Sequence, residues 1–245
     1  MNSFKITSLT EEQKSTRRRI LQISREENIS HLGSCFCSVD LIDCIYQVKK
    51  KDEKFVLSNG HAGIALYAIL EKYGYIKDPE ITKSLYIHPD RNPKLGIDVS
   101  TGSLGQGLPI ALGLAFADRK KNVYCMISDG ECAEGSIWEA LRIAGDNKIN
   151  NLKIVVNANG WSAYDPVNLG SLIKKFIAFG FKIKEIDGNN FKEIIKTLNE
   201  VVSEKEPTII FGKTCTDQFS FLQGLDAHYY VLTDKDYKEA LKLLK

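Results

Sequence analysis

The order of elements in this sequence predicts an α/β fold, a mostly parallel sheet with helices on both faces. Three features predict it. Short apolar runs rich in β-branched and aromatic residues recur from Val123 onward, longer stretches with helical periodicity separate them, and such alternation favours right-handed crossovers between parallel strands. The runs are Val123–Ile127, Leu152–Val156, Phe181–Ile186 and Thr208–Phe211, read as buried strands. Helical patterns over Gly135–Asp146, Leu169–Phe179 and Asn190–Ser203 fill the gaps. Upstream helices are predicted over Glu11–Glu27, Asp40–Val48, Ala62–Tyr73 and Gly105–Arg119, the first opened by a capping box from Ser8 to Glu11. Neither a repeat nor a low-complexity linker divides the chain, so residues 1–245 are read as one domain.

Composition narrows the function classes. The 245 residues are 43% hydrophobic and 26% charged, the balance of a globular protein that buries a core without a metal or disulfide staple. Lysine and arginine number 33 against 31 acidic residues, and a net charge of +2 spread along the chain gives no basic footprint for nucleic acid. The one local cluster, Arg17, Arg18 and Arg19, falls inside a helical pattern and reads as a solvated helix face. No apolar run approaches the roughly 18 residues of a membrane span, and the polar start has no secretory apolar core. Cys35, Cys37, Cys44, Cys125, Cys132 and Cys215 form neither a C-x-x-C pair nor a zinc spacing, so buried, reduced thiols in a cytoplasmic protein are expected.

In open parallel sheets, ligands bind beyond the carboxyl ends of the strands. The loops to inspect therefore follow Ile127 and Val156. The first reads Ser128-Asp129-Gly130-Glu131 and then Ala133-Glu134-Gly135; the second reads Asn157-Ala158-Asn159-Gly160-Trp161. A carboxylate and an amide oxygen on neighbouring strand tips can share one hard cation, and Mg²⁺ prefers oxygen ligands completed by phosphate and water. Gly130, without a side chain, lets the backbone approach a phosphate closely. A second glycine loop, Thr101-Gly102-Ser103-Leu104-Gly105-Gln106-Gly107, precedes another helical pattern and can cradle part of the same ligand. Nucleotide-binding fingerprints are not matched.

The two strand-tip loops together resemble the thiamine-diphosphate-binding motif, G-D-G followed about thirty residues later by Asn; from Asp129 to Asn159 is 159 − 129 = 30. The surrounding words are similar to those of the transketolase family: Phe55 to His61 (FVLSNGH), Thr101 to Gly107 (TGSLGQG), Glu134-Gly135 and Trp138-Glu139-Ala140. The likeness runs from about Arg17 to the C-terminus. It implies thiamine diphosphate and a divalent metal as cofactors, Mg²⁺ with Ca²⁺ or Mn²⁺ as substitutes. It also implies Asp129, Asn159 and the backbone carbonyl of Trp161 as metal ligands. Gly102, Ser103, Leu104, Asp129, Gly130, Glu131 and Asn159, with His61 and His228, are the implied cofactor-binding residues. Two departures stand out. Ser128 replaces the first glycine of the motif, and Asn157-Ala158 occupy places where the family usually carries acidic residues.

The chain's four histidines, His31, His61, His88 and His228, each align with an active-site histidine of the family. By resemblance, His61 and His228 contact diphosphate and substrate, while His31 and His88 bind donor hydroxyls and help move protons, work suited to groups that titrate near neutrality. Glu134 and Glu139 complete the implied catalytic set, at positions where the family links two active sites across a dimer interface. The family's pyrimidine-binding and C-terminal domains have no counterpart in these 245 residues. The resemblance therefore implies the N-terminal subunit of a split transketolase, moving a two-carbon ketol unit from a ketose to an aldose or sugar-derived acceptor. Its implied partner is the C-terminal subunit, in an α2β2 heterotetramer with self-association, and its substrate a sugar phosphate or nucleotide-sugar. Two alternatives stay open: another thiamine-diphosphate subunit (2-oxoacid dehydrogenase α or deoxyxylulose-phosphate synthase-like), or a non-catalytic scaffold.

Overall fold

The computed structural model describes residues 6–245. Its sheet contains β1 (Lys54–Leu57), β2 (Val123–Ser128), β3 (Leu152–Ala158), β4 (Lys182–Asp187) and β5 (Thr208–Lys213), in the spatial order β1-β2-β3-β5-β4. Every neighbouring pair is parallel. Side chains alternate between two buried layers. Tyr124, Met126 and Val155 enter one; Val123, Cys125, Ile127, Ile154 and Val156 enter the other. Burial on both faces explains why β2 and β3 read as unbroken apolar runs.

The first layer is completed by α1 (Glu11–Glu26), α2 (Leu32–Val48), α3 (Gly63–Lys72) and α7 (Phe191–Val202). The second is completed by α4 (Gly107–Ala117), α5 (Gly135–Asp146) and α6 (Leu169–Ala178). β2 and β3 therefore exit toward the second layer. β1 exits toward α3, and β5 toward α8 (Asp226–Tyr229), which packs on α2. Neighbouring strands leaving to opposite faces open a crevice at their carboxyl ends, and the site lies there.

Several elements depart from expectation. The helical pattern predicts a start at Asp40, yet α2 begins at Leu32. Gly33, Ser34 and Cys35 are weak helix formers, and the burial of Leu32, Cys35, Phe36 and Val39 outweighs that preference. Strand β1 is only four residues long, and α9 (Asp234–Leu243) is mostly charged, so neither stands out as an apolar run. β4 is not a fully buried strand: it lies at the sheet edge with Ile186 alone buried along it. The capping box belongs to Thr10 and Gln13, whose side chains accept each other's backbone N–H at 3.2 and 3.1 Å; Ser8 ends a separate 3-10 turn.

The arginine cluster is the largest correction. Arg17 is fully buried, grips Asp40 through two hydrogen bonds of 3.0 and 2.7 Å, and donates through Nε to Gln218 at 3.0 Å. Arg19 is held by Glu71. Position 17 shares a helix face with Ile20 and Leu21, which turns it toward the core. All six cysteines are free, and all but Cys215 are buried. Among the described residues, no helix is long and apolar enough to cross a membrane.

Candidate functional site

β2 and β3 run in register as far as Ser128 and Asn157, so the residues that follow emerge side by side. Asp129 is 2% exposed. Its Oδ1 accepts the Gly130 N–H at 3.0 Å and its Oδ2 the Gly160 N–H at 2.7 Å. Burial pushes this carboxyl up to about 7, against the opposing pull of those N–H groups. A carboxylate so placed gains most from a nearby cation. Asn159 turns its Oδ1 to the Trp161 N–H at 2.9 Å. Gly130 allows the two loops to close on each other: a Cβ there would lie 2.8 Å from Ser162 Cα and 3.2 Å from the Trp161 carbonyl oxygen. One carboxylate, one amide oxygen and one carbonyl form an all-oxygen set that fits Mg²⁺ or a similar hard cation with phosphate oxygens completing the shell. Among the described residues, no three His, Cys, Asp or Glu side chains gather as a metal centre.

Both departures from the motif have structural uses. Ser128 accepts the Glu131 N–H at 3.1 Å, which tightens the turn after β2. Asn157 donates to Ser38 at 2.9 Å and Cys37 at 3.2 Å, and accepts the Thr214 hydroxyl at 2.5 Å. Glu131 is fully buried, and its oxygens accept from the Ser58 hydroxyl (2.6 Å), the Gly105 N–H (2.8 Å) and the Ser128 N–H (3.4 Å). It braces the tips of β1 and β2 against the glycine loop rather than facing open space. In that loop Gly102 adopts φ +142, and a Cβ there would fall 2.8 Å from the His88 ring. Ser103 is exposed and Leu104 half-buried beside it.

Three of the four histidines form one cluster. Ring centroids lie 4.4 Å apart for His31–His228, 5.1 Å for His61–His228 and 5.4 Å for His31–His61. His31 precedes α2 in the left-handed conformation (φ +67), and its N–H donates to the His228 carbonyl at 3.1 Å. His88 is exposed and lies against Gly102 of the glycine loop. Burial, with the charges of neighbouring histidines, depresses His31 to about 4 and His61 to about 3; burial also lowers His228. The clustered imidazoles are therefore neutral near pH 7, able to donate from one nitrogen and accept at the other.

Buried polar atoms without partners surround this cluster: His31 Nδ1, both side-chain atoms of Asn59, and the Thr101 hydroxyl. Such orphans are costly unless a ligand or water meets them, so the cleft suits a polar occupant such as a diphosphate. Asn59 and Thr101 lie inside the FVLSNGH and TGSLGQG words, but nothing in their type or spacing singles them out. Glu134 and Glu139 are not brought to the histidines. Both are exposed at the start of α5, where Arg142 pairs with Glu139 at 2.7 Å and holds its carboxyl below the usual range.

The histidine cluster predicts acid sensitivity. Unfolded imidazoles take up protons below about pH 6.5. In the folded chain His31 and His61 resist protonation until about 4 and 3. Their contribution to stability is thus full above pH 6.5 and is lost as pH falls toward those lower values. Between pH 7.5 and 5.0 each costs about 1–2 kcal/mol of unfolding free energy, discounted for partial exposure. Urea denaturation at both pH values checks this: the double variant His31→Asn/His61→Gln should lose markedly less on acidification, and an unchanged loss would refute the assignment.

The parallel sheet, its two helix layers and the loops at its strand tips define an α/β domain with its candidate site beyond the carboxyl ends of β2 and β3. The family model described as "Transketolase, thiamine diphosphate binding domain" matches residues 47–244. This chain belongs to the transketolase family. It is 29% identical to an apulose-4-phosphate transketolase subunit of Actinobacillus succinogenes, covering 100% of this chain and 99% of that one. It is 31% identical to a 6-deoxy-6-sulfo-D-fructose transketolase subunit of a Clostridium species, covering 94% and 93%. The crystal structure of transketolase from Campylobacter jejuni superposes with a TM-score of 0.85 at 27% identity, over 96% of this chain but 42% of that one. The chain thus spans about two fifths of that transketolase and nearly the whole of the two shorter relatives.

Proposed function

We propose that this chain is the cofactor-binding subunit of a split transketolase, which transfers a two-carbon ketol unit from a ketose phosphate to an aldose or sugar-derived acceptor. The observation that carries the reading is the convergence of Asp129, Asn159 and the Trp161 carbonyl beside three half-buried, neutral histidines. Those three residues would hold Mg²⁺, with Gly102, Ser103 and Leu104 beside the diphosphate. Thiamine diphosphate, when bound, supplies an electron sink for C–C cleavage next to a ketose carbonyl. His61 and His228 then hydrogen-bond diphosphate and sugar, and His31 and His88 orient hydroxyls and pass protons between them. The intact donor set speaks against a scaffold role, and the family match against a 2-oxoacid dehydrogenase.

Partner dependence is supported by relatives of matching length that are themselves named as subunits of a transketolase. An α2β2 assembly would place the exposed Glu134 and Glu139 of α5, with exposed Ile110 and Phe116 of α4, at the contact between two copies. Unpaired thiols suit a cytoplasmic setting. A sugar phosphate is the favoured substrate, a nucleotide-sugar the second. Mixing the chain with its C-terminal partner, thiamine diphosphate and Mg²⁺ should give ketol transfer from a ketose phosphate that neither chain supports alone. Absence of turnover in the mixture would overturn the reading.

A further inference from the structure

We infer that Cys37 is a positioning residue for the Asn159 carboxamide, in an inference that rests on the cation reading above. Cys37 lies on α2, 1% exposed, on the side of Asn159 away from Trp161's N–H. Its sulfur accepts from Asn159 Nδ2 at 3.4 Å and Asn157 Nδ2 at 3.2 Å, while its S–H donates to the Ser34 carbonyl at 3.3 Å.

A carboxamide has two ends of similar shape and opposite polarity. Only one of its two orientations offers oxygen to a cation; the other offers an N–H₂ group, which repels it. In Asn159 the oxygen end is held by the Trp161 N–H at 2.9 Å and the nitrogen end by Cys37. Sulfur suits the second task. Its long bond to Cβ and diffuse lone pairs let one atom accept from two amides at these separations.

The same geometry gives Asn157 a purpose. A carboxylate at that position would present only acceptors, and the sulfur would lose one of its two N–H donors. The amide instead bridges Cys37 to Ser38 and Thr214, so α2, β3 and the end of β5 are joined behind the metal loop. Cys37 and Asn157 thus act as a pair that fixes which way Asn159 faces.

The test uses the complex assembled with its partner and thiamine diphosphate, with Mn²⁺ as probe and free Mn²⁺ read by electron paramagnetic resonance. Cys37→Ala and the volume-filling Cys37→Val should each raise the Mn²⁺ dissociation constant about tenfold, as loss of an outer-shell partner does. Cys37→Ser, which keeps a donor and an acceptor, should stay within about threefold of the wild type on the same grounds. At saturating Mn²⁺, turnover of all three should match the wild type within about twofold, which separates orientation of a ligand from general damage. Wild-type affinity in either Cys37→Ala or Cys37→Val would overturn the inference. Should the wild-type complex itself bind no Mn²⁺, the cation reading falls and this inference with it.

Discussion

Replacing Asp129 by alanine should remove metal-assisted cofactor binding while the sheet stays folded. Asp129 is the one carboxylate in the strand-tip donor set; the remaining amide and carbonyl oxygens carry no charge to balance a divalent cation. Loss of an outer-shell partner alone costs about 10–100-fold in metal affinity, so loss of this ligand should cost at least ~100-fold. Stability of the metal-free protein should move little, because two effects oppose each other. The variant leaves the Gly130 and Gly160 N–H groups without their acceptor, a loss of about 1–3 kcal/mol each where water cannot replace it. It also removes a buried carboxyl whose pKa is pushed up to about 7, and which is therefore costly to ionise in the folded chain. Thermal unfolding with and without Mg²⁺ and thiamine diphosphate gives the check. The wild type should gain thermal midpoint on addition; Asp129→Ala should gain none. A variant that is still stabilised would place the cation elsewhere.

The second large effect concerns the fold. Arg17→Met should lower the unfolding free energy by about 3–5 kcal/mol, because it strands a buried carboxylate. Asp40 is 2% exposed and loses both of its guanidinium hydrogen bonds. Gln218 loses the Arg17 Nε donor as well. Its own Nε2 ties the Phe36 and Cys215 carbonyls, so the segment leading toward His228 should loosen. Adding Asp40→Leu should restore much of the loss, since an apolar pair of suitable volume can replace a buried ion pair. Urea denaturation of the single and double variants measures both. A single variant within about 1 kcal/mol of the wild type would show that the pair is dispensable.

How far the sequence alone reveals each residue's role depends on what that residue answers to. Strands β2 and β3 are covered on both faces, so their apolar runs announce them; β4, at the sheet edge, is not fully covered. Asp129 and Asn159 can be paired from spacing because parallel strands in register put equivalent tips side by side. The four histidines can be gathered by resemblance, although they arrive from the start of α2, the tip of β1, the loop before Gly102 and α8. Arg17 cannot be read correctly from its neighbours. Its burial depends on Asp40 of another helix, and charge alone argues for solvent. Asn59 and Thr101 are equally hidden, since an unpartnered buried atom is a property of the assembled cleft. The place of Glu131 in the motif does not reveal its bonds to Ser58, Gly105 and Ser128, which tie the turn after β2 to the glycine loop.

The main-chain carbonyl of Trp161 lies opposite Gly130. Every amino acid carries that carbonyl, so at the proposed cation site a substitution at this position would leave the donor atom in place. The indole meanwhile rests near Gly224, on the segment leading to His228. A change of side chain at position 161 would therefore reshape the rim of the cleft and leave the main-chain donor where it is.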